Sequence, residues 1–507
     1  MLGKREYGDY QTPPEFARRV CLYLKEVRKL TPSAVVEPTC GEGHFLQSSL
    51  MFDAEEYYGI EINPEYCNIC KKTIPDARVT VLNADFFSCP SNTLIKNTSQ
   101  VLIIGNPPWV TNSSMSNLDA QNLPQKTNFK GLRGIDAVTG ASNFDICEYM
   151  ILKLIKEYKG SNATIAMLCK TSVARKVFQE MKRNKTPFKC CDILEFNATQ
   201  VFHINASACL LFIQLSSDKE SPSFCSMYDF DNPEKPKKRM GFIYGRFYSN
   251  LDITVDDFEG QCCFEWRQGV KHDCSRIMEL TREDTFLFNG NHEKVEIEND
   301  IVFPLVKSSM FKKPVIHDFS KFVIVTQRTP REETRYLETT LKKTWNYLNK
   351  NKELFDSRKS SIYRGAPSFS MFGVGEYSYS RYKVGVSGLY KQPLFSVLYS
   401  NDEKPVMTDD TSYFICFNDY DRAYTAMLLL NSERVQNFIK SIVFPDAKRP
   451  YTKKILDRID FSKIIRRLSI NDLKKTEFNL GLTPYITDYL YDSFQDSLRA
   501  EQLCLGF

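Results

Sequence analysis

Asn106, Pro107, Pro108 and Trp109 stand in succession: an amide, two imino acids and a large aromatic ring. The grouping suits a flat, weakly nucleophilic amine, one whose lone pair is delocalised into a ring. The Asn106 side-chain oxygen and the Pro107 carbonyl can each accept one N–H of such an amine. Two acceptors held out of the ring plane favour the tetrahedral nitrogen of a transition state over the planar nitrogen of the ground state. Neither a covalent intermediate nor a cysteine nucleophile is required. An amide is a poor base, so orientation is the expected role of Asn106. Trp109 offers a stacking face; a core aromatic is the plainer alternative.

The surrounding elements must hold these groups precisely enough for transfer. Val101 to Ile104 is an unbroken apolar run, the mark of a strand buried on both faces. Two prolines cannot continue a ladder or a helix, so the chain turns rigidly there. Carboxyl ends of strands are where ligands bind in open α/β sheets. Upstream, Glu37-Pro38-Thr39-Cys40-Gly41-Glu42-Gly43-His44-Phe45 lies between the strand Ala34–Glu37 and a helix. Gly41 and Gly43 permit positive φ and close approach of a ligand to the backbone. Leu46 replaces the third glycine of a dinucleotide fingerprint, which favours a smaller nucleoside over a pyrophosphate. Glu61 lies in the next strand, Tyr57–Ile62, where an acid accepts from ribose hydroxyls. After the strand Val79–Leu82, Asp85 can accept from an adenine amino group with Phe86 against the ring. Capping a turn is its alternative role. With Glu61 and the glycine turn in register, the ligand role is favoured.

At 507 residues the chain exceeds the size at which single cores stop growing, so two or more domains are expected. Its 42% hydrophobic and 25% charged residues are ordinary for a soluble globular protein. Net charge is only +5, so any nucleic-acid surface has to be a local patch. No run of about 18 apolar residues suggests a membrane helix. Met1-Leu2-Gly3-Lys4-Arg5-Glu6 lacks a signal core, and a cytoplasmic, bacterial location is expected. The 16 cysteines read as reduced, small core residues. Cys67-Asn68-Ile69-Cys70 lacks a second pair at ligand spacing, so no metal is expected; two cysteines on a helix face are preferred.

Strands and helices alternate to about residue 215. Asn63-Pro64-Glu65 opens a helix, another spans Phe144 to Tyr158, and Ala163–Leu168 and Ala208–Ile213 are buried strands. The alternation predicts an α/β fold, a doubly wound Rossmann-like sheet with parallel strands and helices on both faces. Ser216 to Met240 is polar, with the charge run Lys235-Pro236-Lys237-Lys238-Arg239, and reads as a linker or long loop.

In their order these motifs resemble the S-adenosylmethionine-dependent amino-methyltransferases, specifically the gamma-class DNA adenine-N6 methyltransferases of bacterial restriction–modification systems. Tyr10-Gln11-Thr12-Pro13-Pro14-Glu15-Phe16 is similar to that family's N-terminal cofactor motif. The Glu37–Phe45 turn, Glu61, Asp85-Phe86 and Asn106–Trp109 follow in the gamma order, and the resemblance covers about residues 7 to 215. It implies that Thr12 and Glu37, in the turn with Pro38, Gly41 and Gly43, hold the methionine end of the cofactor. Glu61 would then hold the ribose, Ile62 pack on the adenine ring, and Asp85 bind its amino group beside Phe86. Val201-Phe202-His203 looks like the site whose aromatic stacks on a flipped target base, opposite Trp109. The family often has Tyr where this chain has Trp109, so hydroxyl contacts would be missing. Glu37 stands where other classes carry Asp and keeps the charge.

The composition breaks divide the chain into residues 1–220 catalytic, 221–240 linker, 241–469 a mixed α+β domain to which the resemblance gives target recognition, and 470–507 a helical segment. Within the third part, Phe355 to Ser400 interleaves Arg and Lys with Tyr and Phe, as a DNA reader would. Arg364, Arg381, Lys383 and Lys391 are its candidate contacts, joined by Arg328 and Arg331. Glycines in Gly373-Val374-Gly375 would let the backbone approach DNA; a solvated sheet face with packed tyrosines is the bland alternative. The expected activity is methyl transfer to the N6 amine of a flipped adenine in double-stranded DNA, by a monomer whose cognate restriction endonuclease acts separately. RNA adenine and protein glutamine are alternative targets, and cytosine N4 shares the geometry. Because the cofactor motif begins so early, no fused upstream nuclease is expected.

Overall fold

The computed structural model describes residues 11–95, 100–109, 145–218, 220–253 and 257–504. Tyr10 and Phe144, placed above in a motif and at a helix start, lie outside them, as does the segment Met1–Glu6. The chain divides into two units, Met1–Asp252 and Ile253–Phe507.

In the first unit β1 (Ala34–Glu37), β2 (Glu56–Glu61), β3 (Val79–Asn83), β4 (Val101–Gly105) and β5 (Thr164–Lys170) are parallel and run in the order β5-β4-β1-β2-β3. The order reverses between β1 and β4, which opens a crevice at their carboxyl ends. β1 and β4 are buried along their whole length, as strands covered on both faces must be. The connections are α1 (Pro14–Leu22) before β1, α2 (His44–Ser49) after it, α3 (Pro64–Thr73) and α4 (Ile146–Glu157). Asn63 caps α3, its Oδ1 accepting from the Glu65 amide at 2.9 Å, with Pro64 at the first helical position.

The sheet departs from the parallel expectation beyond β5. After α5 (Thr171–Arg183), β6 (Phe188–Asn197) and β7 (Ser207–Leu215) follow, and β7 is antiparallel to both β5 and β6. Only residues 198–206 join β6 to β7, and a parallel crossover needs about a dozen or more. α6 (Ala198–Phe202) occupies most of that connection. β6 is hidden in the sequence because Lys189, Asp192 and Glu195 interrupt its apolar run. Asp192 is nonetheless buried, paired with Arg28 at 2.6 Å.

Residues 221–240 are not a linker. β8 (Phe224–Asp229), β9 (Lys238–Ile243) and β10 (Arg246–Tyr248) extend the same sheet past β6. Cys225, Met227 and Met240 are buried while Phe224 and Arg239 are exposed, so the polar composition is that of a sheet edge with a solvated face.

The second unit holds a five-stranded and a six-stranded sheet among its described residues. Tyr382–Ser387 pairs antiparallel with Ser412–Phe417 at the centre of the first. The C-terminal stretch is helical as expected, in Ile470–Asn479 and Asp488–Cys504. Glu477, buried, accepts from the Tyr424 hydroxyl at 2.7 Å and ties the first of these helices to Tyr420–Asn431.

Candidate active site

A cavity of about 480 Å³ opens at the carboxyl ends of β1, β2, β3 and β4. Thr12, Glu37, Pro38, Gly41, Glu61, Ile62, Asp85 and Phe86 line it, together with Asn106 and Pro108. Apart from Thr12, which precedes the first helix, these residues converge because each ends or follows a neighbouring parallel strand.

The glycine turn is shaped by backbone demands. Gly41 and Gly43 have φ of +50° and +88°. A Cβ on Gly43 would stand 2.4 Å from Cys70 Sγ, so Gly43 serves close packing of α3 against the turn rather than lining the cavity. Cys67 and Cys70 are both buried on that helix.

Two carboxylates organise the floor. Glu61 accepts the Gly41 amide at 2.8 Å through Oε2 and the Asn63 amide at 2.7 Å through Oε1. The same carboxylate lines the cavity, and a carboxylate oxygen can accept more than one hydrogen bond. Glu37 accepts the Leu46 amide at 3.0 Å, and burial pushes its carboxyl well above the usual range. Nearby, His44 donates from Nδ1 to the Thr12 carbonyl at 2.7 Å, and Gln11 accepts the Glu42 amide at 3.3 Å. These bonds pin the segment before α1 over the turn.

Asp85 is exposed and lines the cavity while its Oδ1 accepts the Phe87 amide at 2.9 Å. The turn-capping bond is thus present, and the side chain stands at the cavity where the ligand reading would use it. Phe86 is buried, with Lys153 Nζ 4.3 Å from its ring centroid, whereas Ile62 is 48% exposed and free to take a ring. A lining that combines Ile62 and Phe86 with the carboxylates Glu37, Glu61 and Asp85 suits a nucleoside carrying a cationic tail. Thr39 adds a buried hydroxyl that finds no partner among the described residues. The donor set fits S-adenosylmethionine. Sequence reasoning did not single out Asn63, Tyr66, Ile146 and Met150 of the cavity wall. Asn63 and Tyr66 belong to the helix after Glu61, and Ile146 and Met150 follow residues with no motif.

Trp109 and Phe202 are both buried, their ring centroids 5.4 Å apart at an interplanar angle of 72°. Pro107, two residues before Trp109, is buried but does not line the cavity.

In the second unit Arg328, Arg331, Arg364, Arg381 and Lys391 are exposed. Arg328 lies over Tyr379 at 5.3 Å, and Arg381 pairs with Glu403 at 2.9 Å. Lys383 is a correction: it is 1% exposed, and its Nζ donates to the Ser380 carbonyl at 2.7 Å. Tyr382–Ser387 is the central strand of its sheet and is buried from Lys383 to Ser387, on both faces, so this side chain does not reach a phosphate. Gly373 is half-buried and packs against the protein itself. A Cβ there would stand 2.3 Å from the Gly269 carbonyl oxygen, so the close approach is to the protein's own backbone. Phe369 packs edge-to-face on Trp345 and Phe355 in a core cluster.

No protein-family model matches the chain. Over 480 residues it is 38% identical to the Type II methyltransferase M.NspV of Nostoc sp., covering 91% of this chain and 98% of that protein. Modification methylase CviBIII of Paramecium bursaria Chlorella virus NC1A is 25% identical over 112 residues, 22% of this chain and 28% of its own. Among solved structures, the Type IIL restriction-modification enzyme MmeI in complex with DNA shares the fold at 11% identity and a TM-score of 0.51, covering 97% of this chain and 75% of that one. On the near-complete overlap with M.NspV, this chain belongs to the type II, S-adenosylmethionine-dependent methyltransferases of restriction–modification systems.

Proposed function

We propose that the enzyme methylates the N6 amine of an adenine at a specific site in double-stranded DNA, the base being rotated out of the helix into the crevice. One observation carries this reading: Asn106 and Pro108 open into the same cavity as Glu37, Glu61 and Asp85, so an amine-orienting amide faces a nucleoside site.

Bound there, S-adenosylmethionine supplies an electrophilic methyl on its sulfonium. Thr12 and Glu37 hold the cationic methionine end, Glu61 the ribose, and Asp85 the adenine amino group, with Ile62 and Phe86 against the ring. Asn106 and the Pro107 carbonyl accept the two N–H bonds of the target amine and pull its lone pair out of conjugation, toward the cavity. Pro107 and Pro108 remove backbone freedom, so this geometry exists before substrate arrives. Trp109 and Phe202 take the faces of the extruded base. Arg328, Arg331, Arg364, Arg381 and Lys391 are the surviving candidates for DNA contact. The enzyme acts as a monomer, and a separate endonuclease cuts the unmethylated site.

Single-molecule sequencing of DNA from a methylation-deficient host expressing the protein tests this. A recurrent N6-methyladenine motif, lost in Asn106→Ala, is expected. N4-methylcytosine at a recurrent motif would move the target to the other base, and unmodified DNA with methylated RNA or protein glutamine would overturn the DNA reading.

A further inference from the structure

Both ends of the Asn106–Trp109 segment rest on β5. At the near end, Gly105 pairs with Met167 in the β4–β5 ladder. At the far end, Lys170, the last residue of β5, donates from Nζ to the Trp109 carbonyl at 3.2 Å. The same ammonium meets Asp145 Oδ2 at 3.2 Å. Asp145 is buried, and its Oδ1 accepts the Cys147 amide at 3.1 Å, capping α4. α4 in turn contributes Ile146 and Met150 to the cavity wall. One cation therefore joins three things: the end of the amine-binding segment, the strand beside it, and the helix that walls the cofactor cavity.

We infer that Lys170 and Asp145 are positioning residues for methyl transfer, fixing the Trp109 backbone so that Asn106 and the Trp109 ring are presented to the target base in one geometry. This inference rests on the reading of Asn106–Trp109 as the target-base site. Lys170 spends its two described contacts on the Trp109 carbonyl and Asp145, both at the end of the amine-binding segment, so its removal falls on transfer rather than on cofactor affinity. The prolines stiffen the segment internally but cannot fix its direction. An ammonium has three donors, enough to hold a carbonyl and a carboxylate together. Arg retains charge and donors at this spot, whereas Met keeps the stem and removes both.

The full-length enzyme, Lys170→Met, Lys170→Arg and Asp145→Asn are compared in single-turnover transfer of labelled methyl to substrate DNA, alongside the KM for S-adenosylmethionine. Lys170→Met is expected to be slower by about tenfold to a hundredfold, the usual cost of a displacement near 1 Å. Its cofactor KM stays within about twofold of wild type, and Lys170→Arg recovers most of the rate. A Lys170→Met rate within about twofold of wild type, a cofactor KM rising in step with the loss, or an Arg variant as slow as Met overturns the inference. Should Lys170→Met fail to fold, Asp145→Asn decides. It keeps the capping oxygen and the size but weakens the hold on Lys170, and the same split between rate and cofactor KM is required. Digestion of the product DNA identifies the methylated base. A base other than N6-methyladenine overturns the adenine reading alone, because the rate ratio is measured on total methyl incorporated.

Discussion

The indole of Trp109 and the phenyl ring of Phe202 meet edge to face, 5.4 Å between centroids with planes at 72°. Trp109 follows β4, while Phe202 ends the short helix after β6, so the sheet order brings together two motifs far apart in sequence. Phe202 is also backed by Phe196 at 6.1 Å and Phe16 at 6.4 Å. A base sandwiched between two rings needs a van der Waals contact on each side, about 7 Å in all. In the proposed mechanism the pair separates as the base enters, and Phe202, set in its aromatic cluster, is the fixed wall.

Trp109→Ala should therefore slow transfer about five- to a hundredfold, the range expected when one base–aromatic stack of roughly 1–3 kcal/mol is lost. Trp109→Phe should retain most of the activity. With 2-aminopurine at the target position, wild type should raise fluorescence on binding, and the alanine variant less so. An alanine variant with wild-type rate and fluorescence would return Trp109 to the role of core aromatic.

Burial raises the Glu37 carboxyl, so the cofactor-free protein holds a proton there above the usual carboxylate range. The sign follows from linkage. This group favours the folded state below its ordinary value, and that contribution is lost as pH rises through the raised one. A cationic ligand beside Glu37 reverses the preference and expels the proton. Cofactor affinity should thus strengthen with rising pH until Glu37 ionises unaided, with proton release seen by calorimetry in buffers of different ionisation enthalpy. Glu37→Gln should bind weakly and without that slope. A pH-independent affinity in wild type would show that Glu37 does not face the cation.

Glu61 and Asp85 should separate into structural and ligand contributions. Asp85 is exposed, and the one described bond of its side chain is to the Phe87 amide, so Asp85→Ala should leave the melting temperature nearly unchanged. Loss of a hydrogen bond of about 1–2 kcal/mol would weaken cofactor binding roughly five- to thirtyfold. Glu61→Ala removes the acceptor of two backbone amides in a buried turn, and should cost about 1–3 kcal/mol of stability besides binding. Wild-type cofactor affinity in Asp85→Ala would leave that residue as a turn cap only.

In the catalytic half the Asn106 segment and the glycine turn were legible because each follows a short, fully buried strand. Val101–Gly105 ends at Asn106 and Ala34–Glu37 at the glycine turn, and those boundaries hold to within a residue. β6 and the β8–β10 edge were not legible, since an Arg28–Asp192 pair and a solvated face put charges where the apolar pattern should run. Lys170 was invisible for another reason. Its role comes from a contact with Trp109 across two strands, and a lysine after an apolar run looks like any strand end. In the second unit a count of Arg, Lys and Tyr could not separate surface from core, and Lys383 is the clearest case.

Lys383 yields the last prediction. It is fully buried, and desolvation lowers its pKa to about 8. Below that pH the folded state must hold a buried cation that the unfolded chain keeps in water. Between pH 8 and the ordinary value of 10.5 the folded state has released its proton and the unfolded state has not, so stability rises with pH across that window. The whole shift corresponds to about 3 kcal/mol. Lys383→Met keeps the length of the stem and removes the charge. It should be more stable than wild type at pH 7, the difference shrinking as pH approaches 10.5, because only wild type gains there. Thermal melts of both proteins across this range measure the difference directly. DNA affinity should stay unchanged, since the side chain lies under the sheet surface. Loss of affinity in a folded Lys383→Met would mean that the buried amine reaches DNA after all, through a rearrangement of the Tyr382–Ser387 strand.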